Sequence, residues 1–365
     1  MRYPQDVPTL TDGVVTLRAH RESDVEGVLE QCLDPVSQAW TTVPVPYTRD
    51  QARRFVREAM PGGWAIDEEW AFAVEHEGEF CGTVSLRNLR EARAEVAYGS
   101  HPRIRGTGGM VRAVRLLLEW GFAERDLATV VWWANRGNFA SRRLAWRLGF
   151  TTDASLARWL PQRGELLDAW GGTLLAGEPL LPRHRWIEAP RIDSPRLPLR
   201  LRALRADDVD RLVEGCTDPE TLRWLGEVPQ PYDAGHATEG LLVAGERMAE
   251  GTALHLAVAD RDDDRLLGRV AVTGITSASG EVGFWTHPAE RGRGVATEAA
   301  RLVVRHALVA EEDGGLGLVR VSARAAVDNV ASRAVLVAAG MREVGTEHRA
   351  VQVRDAWSDA VLFEA

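Results

Sequence analysis

The chain has 365 residues, of which 45% are hydrophobic and 27% are charged, and its formal net charge at pH 7 is −9. This length and composition are typical of a protein with two globular domains, and they exclude a largely disordered chain. The acidic balance argues against nucleic acid as a partner. All 44 basic residues are arginines, which excludes the lysine-dependent chemistry of P-loops and Schiff bases.

The cysteine content and the hydropathy of the chain indicate its compartment. Cys32, Cys81 and Cys216 form no CxxC pair, and they predict buried thiols in a reducing environment. The N-terminal segment has no apolar signal-peptide core, and no apolar run has the length of a membrane span. We therefore expect a cytoplasmic protein with no membrane partner.

Each half of the chain predicts the element order β-α-α-β-β-β-α-β-α-β-β. A strand (VVTLRAH, then LPLRLRAL in the second half) leads into helices that begin near Glu22 and Ala206. Three strands follow, and the turns between them are rich in Gly and Asp. A glycine-rich turn, 101–109 or 287–295, then leads into an amphipathic helix and a further strand. Asn138 and Asn329 each mark the start of the next helix.

These matching segments show that the chain is a tandem duplication. LRAHRESDVEGVLEQCLDP in the first half matches LRALRADDVDRLVEGCTDP in the second, and NFASRR matches NVASRA. The spacing between partners grows slowly along the chain, as expected for repeats that differ by small loop insertions. The segment 182–196 is rich in proline and arginine and lacks periodicity. We predict an N-terminal domain at 1–181, a linker at 182–196 and a C-terminal domain at 197–365.

The glycine turn before a helix predicts a phosphate-binding site, because free backbone N–H groups and the helix dipole attract an anion. A Rossmann site fits poorly, since Gly292-x-Gly294 has no third glycine and the turn follows a meander rather than the first strand of a βαβ unit. A P-loop fails for lack of lysine. The acyl-CoA turn, [Arg/Gln]-x-x-Gly-x-[Gly/Ala], is satisfied by Arg291, Gly294 and Ala296.

Three motifs together carry a family resemblance: LRxxRxxD early in each half, GEVGFWxHPxxRGRGxA in the middle of the second, and DNxxSxxV later. With them, the chain resembles a tandem member of the GNAT acyltransferase superfamily, in the branch related to ribosomal-protein N-terminal acetyltransferases of the RimJ/RimL type. The resemblance implies an α+β fold of two tandem GNAT-like domains. Each is expected to contain a central mixed, mostly antiparallel twisted sheet flanked by helices.

The same resemblance implies an activity and its partners. We expect transfer of an acyl group, usually acetyl, from acetyl-CoA or another acyl-CoA to the primary amine of a small molecule or of a peptide N-terminus. No metal is implied. Single-domain relatives often form dimers, so the fused copies suggest either a monomer that is an intramolecular pseudo-dimer or a homodimer.

In the second copy the resemblance assigns cofactor-binding positions. Backbone groups of Phe284, Trp285 and Thr286 correspond to the strand beside the pantetheine arm, and Thr297 opens the helix. Asn329 corresponds to a residue that contacts the cofactor arm, but it is equally suited to be a helix N-cap, and both interpretations stay open. The expected pyrophosphate loop consists of Arg291, Gly292, Arg293, Gly294, Val295 and Ala296.

Two side chains of the second copy are candidates for the chemistry. An ammonium must lose a proton before it attacks a thioester, and Glu281 matches the position of a glutamate base in several family members. Ser332 is the candidate donor to the departing thiolate. The alternatives are a solvated strand carboxylate for Glu281 and a helix serine that bonds to the backbone for Ser332. Where many relatives carry a tyrosine acid, this chain has Leu336.

The first copy retains much of this set but departs from it in the turn. Met110 stands where the second copy has Ala296, and we expect its long side chain to crowd a pyrophosphate. A shifted frame, Arg103-x-x-Gly106-x-Gly108, satisfies the pattern but breaks the alignment. We predict that the second copy is the main acyl-CoA site and that the first is weakened or specialised. The retained positions of the first copy are Glu95, Arg105, Gly106, Gly108, Asn138 and Ser141.

Two other functions remain open from the sequence. The duplicated fold is also compatible with a non-catalytic acyl-CoA-binding or regulatory protein, in which the domains serve as a scaffold. The glycine turn alone allows a nucleotide-dependent oxidoreductase as a third alternative.

Overall fold

The computed structural model of the chain describes residues 3–226, 228–353 and 356–365. It divides into two compact units, Met1–Arg183 and His184–Ala365. Among the described residues, each unit contains one eight-stranded mixed sheet with helices beside it. The α+β class and the tandem arrangement predicted from the sequence are therefore confirmed.

The strands of the first unit lie in the order β1-β2-β3-β4-β5-β6-β8-β7. Neighbouring strands are antiparallel except for β5 and β6, which are parallel. Glu77 and Gly78, predicted as the turn between the first two strands of the meander, both have positive φ, as a tight hairpin requires. The strands are β1 (Leu10–Thr11), β2 (Val15–Arg18), β3 (Glu69–His76), β4 (Glu79–Arg90), β5 (Arg93–Ser100), β6 (Thr129–Asn135), β7 (Ala154–Gln162) and β8 (Glu165–Leu175).

Two short helices of the first unit begin at side-chain caps. The Asp34 side chain accepts from the backbone N–H of Ser37 at the start of α2, and Thr48 caps α3 in the same way. A π-helical turn, Phe55–Ala59, separates α3 from α4, near Pro61, which has no N–H to donate. The helices are α1 (Val25–Leu33), α2 (Pro35–Trp40), α3 (Arg49–Arg54), α4 (Met60–Ala65), α5 (Gly109–Glu124) and α6 (Phe139–Arg147).

The second unit repeats this topology, with the strand order β9-β10-β11-β12-β13-β14-β16-β15. The parallel pair is β13 with β14. The strands are β9 (Ile192–Asp193), β10 (Leu199–Arg202), β11 (Leu254–Asp260), β12 (Leu266–Thr273), β13 (Ser279–Thr286), β14 (Arg320–Ala326), β15 (Arg342–Val353) and β16 (Ala356–Glu364). The helices are α7 (Val209–Thr217), α8 (Pro219–Trp224), α9 (Ala234–Ala249), α10 (Val295–Leu308) and α11 (Val330–Ala338).

The sheet of the second unit buries apolar side chains on both faces. On one face, α10 packs its Val303 and Ala307 against strand residues such as Val270 and Val282. On the other, Leu212 of α7 and Ala237 of α9 cover Ala257 and Leu266. Successive side chains of a strand point to opposite faces of the sheet. One face is therefore covered by α10 and α11 and the other by α7 and α9.

The boundary between the two units falls inside the segment predicted as a linker. Most of that segment packs onto the second unit: Ile187 is 2% exposed within its core, and the Arg185 guanidinium donates to the carbonyls of Gly315 and Leu316. Strand β9 also lies within it. Across the described residues, no helix has the length and apolarity needed to cross a membrane.

Candidate acyl-CoA site

The two glycine turns have the same local structure. A histidine, His101 or His287, begins a short helical turn and accepts a backbone N–H through its own Nδ1. Its Nε2 contacts Glu30 or Glu214, at 3.1 and 3.0 Å. Both histidines are buried, and their contacts hold the turn in place.

Glycine is required at the next positions because the backbone becomes left-handed there. Gly106 and Gly292 have φ of 78° and 73°, and Gly108 and Gly294 have φ of 84° and 79°. The helices α5 and α10 begin at the following residue. The first backbone N–H groups of each helix therefore follow directly on the turn, where an anion site would have them.

The two copies differ in whether these N–H groups are already bonded. In the second copy, the backbone N–H groups of 292–297 have no acceptor among the residues that the structure describes. In the first copy, the N–H of Gly109 donates to the Thr107 hydroxyl at 3.1 Å. Arg293 takes the place of Thr107 in the second copy and offers no such acceptor. The second turn is therefore the more open of the two.

The arginines of the turn are already paired with carboxylates. Arg291 donates to Asp218 and to the Thr221 hydroxyl, both at the start of α8. Arg105 makes the equivalent contacts with Asp34 and Ser37 at 2.6 and 2.9 Å. These pairs anchor the turn to the first short helix of each unit. Their charge is compensated, so the backbone N–H groups of the second turn carry most of its positive potential.

Arg293 differs from Arg291 because it lies at the surface. Its guanidinium reaches the buried Glu290 at 2.7 Å, while its side chain is 66% exposed. Glu290 also pairs with Arg265 and Arg211. Arg293 thus retains donors that face solvent beside the turn, where a phosphate is expected.

The strands that lead to the turn separate along their length. β13 and β14 are paired only over three residues, which end at Glu281 and Ser322. β5 and β6 end their pairing at the equivalent Glu95 and Val131. Beyond this point the two strands pair only with their outer neighbours. In each copy the gap between the two strands leads from the glycine turn to the middle of the sheet.

The side chains of β13 alternate between the two faces of the sheet. Val282 and Phe284 pack into the core beneath α10, whereas Trp285 lies against Gly215 of α7. Gly283 is exposed on the same face as Trp285 and Glu281, and a Cβ added there would meet nothing within 4 Å. Thr286 ends the strand opposite Gly268. An open strip of sheet therefore lies between Glu281 and Trp285.

Glu281 is held by an arginine that the sequence did not single out. The Arg324 guanidinium of β14 donates to both Glu281 oxygens, with distances of 2.8 to 3.2 Å. This ion pair raises the pKa of Arg324 and fixes the orientation of the carboxylate. In the first copy Arg87 and Asn88 hold Glu95 instead, through contacts of 2.6 to 3.0 Å. The two carboxylates thus occupy one position in the fold with different partners.

The two asparagines are helix caps. The Asn329 side chain accepts from the Ser332 N–H at 3.0 Å, and Asn138 accepts from Ser141 at 3.1 Å. Asn329 is therefore a helix N-cap. The cap uses its side-chain oxygen, so its amide NH₂ is the group that can reach a cofactor. Ala296 and Thr297 lie on the first turn of α10, and Val295 is buried beneath them.

The serines that follow these caps have different surroundings. No described residue bonds to the half-buried Ser332 hydroxyl in the second copy. In the first, the Ser141 hydroxyl lies 2.8 Å from the Tyr98 hydroxyl and accepts from the Trp132 Nε1–H at 3.1 Å. Burial raises the pKa of Tyr98 to about 12, so this hydroxyl stays protonated. These three side chains link β5, β6 and α6 across the gap of the first copy.

Met110 does not enter the turn of the first copy. It is 8% exposed, and its sulfur lies beside Gly82 of β4. The expectation that this side chain crowds a pyrophosphate is therefore wrong, because a long apolar side chain gains more from filling the core. The first copy differs instead through Thr107 in the turn and the Tyr98–Ser141–Trp132 cluster in the gap.

Comparison with known proteins agrees with this geometry. The family model described as an acetyltransferase (GNAT) domain matches residues 15–151 and 198–342. One curated relative is the probable N-acetyltransferase YjcK of Bacillus subtilis (strain 168), 31% identical over 117 residues, which are 31% of this chain and 62% of that protein. Another is the putative ribosomal N-acetyltransferase YdaF of the same organism, 35% identical over 77 residues, which are 20% of this chain and 42% of that protein. The matches thus span less than two thirds of either relative.

Solved structures with a similar fold include Mycobacterium smegmatis RimJ in complex with CoA-disulfide. It is 21% identical, covers 48% of this chain and 86% of its own, and has a TM-score of 0.42. A structure described as a probable acetyltransferase is 25% identical, covers 46% of this chain and 97% of its own, and has a TM-score of 0.43.

A sheet whose two parallel strands separate, next to a helix with an open N-terminus, makes an α+β domain that suits a phosphate-bearing ligand. The two matches to the family model cover well over half of the chain. The chain belongs to the GNAT acetyltransferase domain family and carries two copies of that domain in tandem. The family uses acetyl-CoA as its acyl donor.

Proposed function

We propose that this protein is an acyl-CoA-dependent N-acetyltransferase and that residues 197–365 contain its main acyl-CoA site. The observation that supports this most is the open N-terminus of α10, where the N–H groups of 292–297 have no acceptor among the described residues. This position suits a pyrophosphate. The gap between β13 and β14 begins at the same turn and suits the pantetheine arm.

The residues around the gap suit direct transfer to an amine. Glu281 is the group that draws the proton from the bound ammonium, so that the nitrogen lone pair can attack the thioester carbon. The new N–C bond forms as the C–S bond breaks. The attacking nitrogen loses its surplus proton to solvent as it becomes the amide. The Ser332 hydroxyl donates its proton to the departing thiolate, and solvent returns a proton to Ser332. The acceptor is the primary amine of a small molecule or of a peptide N-terminus.

We also propose that the first domain, residues 1–181, binds acyl-CoA weakly or not at all. Two contacts support this difference. Thr107 already occupies an N–H of the turn, and Trp132 and Tyr98 engage the Ser141 hydroxyl in the gap. In the second copy, small Ala323 takes the position of Trp132. The chain is therefore expected to bind one acyl-CoA.

The experiment for this function is a thiol-release assay with acetyl-CoA and a panel of primary amines. An N-acetyltransferase releases free CoA only when an amine is present, and mass spectrometry finds the acylated amine. Succinyl-CoA and longer acyl-CoAs, assayed in parallel, define the donor. Tight binding of CoA without turnover on any amine would favour the alternative, a non-catalytic acyl-CoA-binding or regulatory protein.

A further inference from the structure

One half-buried arginine of the second unit has no carboxylate partner among the residues that the structure describes. Arg269 lies on β12, and its NH2 group donates to the Nδ1 of His255 at 2.9 Å. No other acceptor among the described residues bonds to its guanidinium. By contrast, Arg202 on β10 pairs with both Asp208 and Asp264. A guanidinium removed from water without a counter-ion is an unusual arrangement and calls for an anion.

The groups around Arg269 leave its charge uncompensated. Burial and the nearby arginines lower the pKa of His255 to about 3, so this histidine is neutral and accepts from Arg269. The Cys216 thiol and the Tyr232 hydroxyl also interact electrostatically with Arg269, and burial raises the pKa of both. Both are therefore neutral at physiological pH. The pocket formed by these four residues carries one net positive charge.

This pocket lies on the same face of the sheet as the proposed reaction site. Arg269 is directly opposite Trp285 in the β12–β13 register, and residues opposite one another project to the same face. Glu281 projects to that face from the other end of β13. Gly283 lies between the two ends, exposed and with open space above its Cα. Glu281 and Arg269 thus mark the two ends of one open strip.

The first copy lacks this feature at the equivalent position. Thr83 replaces Arg269 there, and its hydroxyl lies 3.0 Å from the Nε2 of the buried His20. The pocket is therefore filled by a neutral pair in one copy and by an unpaired cation in the other. This difference follows the proposed division of function between the copies.

We infer that Arg269 binds a carboxylate of the acceptor, so that the substrates of the second copy are amines that also carry a carboxylate. The inference rests on the proposed acetyltransferase function. Glu281 and Trp285 are four residues apart on an extended strand, about 13 Å. With a hydrogen-bond distance of about 3 Å subtracted at each end, a molecule of about two residue lengths, roughly 7 Å, spans the interval. Small peptides with a free amino group and a free C-terminus have this size and charge.

The test uses acceptors that differ only in the anionic group. Ala-Ala and Ala-Ala-Ala are compared with their C-terminal amides in the thiol-release assay at saturating acetyl-CoA. The wild-type chain is expected to prefer each acid over its amide by roughly tenfold or more in kcat/KM, the effect of one charged hydrogen bond. In Arg269→Met this preference is expected to fall to about twofold or less, through loss of activity on the acids alone.

Two further variants and one binding measurement distinguish a loss of carboxylate binding from misfolding. Arg269→Lys keeps the charge but not the paired donors, and is expected to keep part of the preference. Thr83→Ala, the matched change in the first copy, is expected to leave the preference unaltered. The affinity of Arg269→Met for CoA, measured by calorimetry, is expected to equal that of the wild type.

The inference would be overturned if the wild type used acids and amides equally well. It would also be overturned if Arg269→Met lost activity equally on acids and amides while its CoA binding stayed intact. Acetylation of neutral amines without acetylation of either peptide acid would also overturn it, while leaving the proposed acetyltransferase function standing. A wild-type chain that does not bind CoA would instead contradict the proposed function, and this inference with it.

Discussion

Arginine supplies all the fixed positive charge of this chain, and around the candidate site each guanidinium has a distinct task. Arg291 anchors the glycine turn through Asp218, Arg324 orients Glu281, and Arg293 lies at the surface beside the turn. A planar guanidinium with several donors suits such fixed geometry better than an ammonium does. At the scale of single residues, the site is therefore preorganised before any ligand binds.

Substitution of Glu281 tests its role as the proton acceptor. Glu281→Gln is expected to lower kcat by about 10²- to 10⁴-fold, the usual contribution of a positioned proton acceptor. CoA affinity is expected to stay the same, because this carboxylate lies away from the glycine turn. Steady-state kinetics together with calorimetry measure both quantities.

Glu95→Gln, at the equivalent position of the first copy, is the matched control and is expected to leave kcat unchanged. If both variants keep wild-type kcat on a good acceptor, Glu281 is not the base. If both lose it equally, the division of function between the copies is wrong.

The second residue-scale prediction concerns His20, which is 3% exposed. Burial lowers the pKa of His20 to about 4, from 6.5 for an ordinary histidine. The unfolded chain therefore binds a proton below pH 6.5 that the folded chain resists until about pH 4. Stability is lost as the pH falls through this window, by about 3 kcal/mol in total for this group.

Chemical denaturation at intervals between pH 7 and pH 4 measures this loss. His20→Gln is expected to have a shallower fall in the free energy of unfolding over the same window. An identical slope in the variant and the wild type would contradict the account. The pKa of His255 is also lowered, so protonation of this residue likewise destabilises the folded chain as the pH falls. Part of the slope therefore remains in the His20→Gln variant.

At the scale of elements, the candidate site of each copy consists of the separated strand pair and the capped helix beside it. β13 and β14 diverge after Glu281, and α11 begins at Asn329 across the gap. In the first copy the same elements are linked by Tyr98, Ser141 and Trp132. One strand geometry thus gives an open gap in one unit and a bridged gap in the other.

The cap of α11 yields a prediction at this scale. Asn329→Ala and Asn138→Ala are each expected to lower the free energy of unfolding by about 1 kcal/mol, since both lose a helix cap. Asn329→Asp keeps an acceptor for the Ser332 N–H but loses the amide donor. We expect Asn329→Asp to fold as stably as the wild type and to bind CoA more weakly.

Calorimetry with CoA and thermal unfolding test this pair of effects. Asn138→Asp is the matched control and is expected to change neither quantity. Unchanged CoA affinity in Asn329→Asp would restrict Asn329 to its capping role.

Local patterns made several of these elements predictable. The left-handed glycines, the asparagine caps and the alternation of Glu281 with Val282 each follow from short-range rules. Arg324 and Arg269 were not predictable, because each acts through a residue that is close only after the sheet forms. Neither is repeated in the first copy, where Trp133 and Thr83 stand. Met110 was misjudged for the same reason, since the direction of its side chain depends on the core.

At the scale of the whole molecule, duplication gives two sheets with the same strand order and unequal sites. The shared topology was predictable because every element recurs at a nearly constant spacing along the chain. The difference between the copies lies in a few side chains of the turn and the gap. A tandem chain offers a matched control for each change, since the same substitution can be made in either copy.

Binding of acetyl-CoA to Gly292→Asp, measured by calorimetry beside the wild type and Gly106→Asp, tests the central claim most directly. Both glycines have left-handed φ, and a Cβ at either meets nothing within 4 Å. Aspartate tolerates this backbone better than most residues do, and it places a negative charge in the turn. We predict one acetyl-CoA per wild-type chain, an affinity at least about tenfold weaker in Gly292→Asp through charge repulsion, and wild-type binding in Gly106→Asp. Wild-type affinity in Gly292→Asp, or loss of binding only in Gly106→Asp, would contradict the assignment of the acyl-CoA site to the second copy.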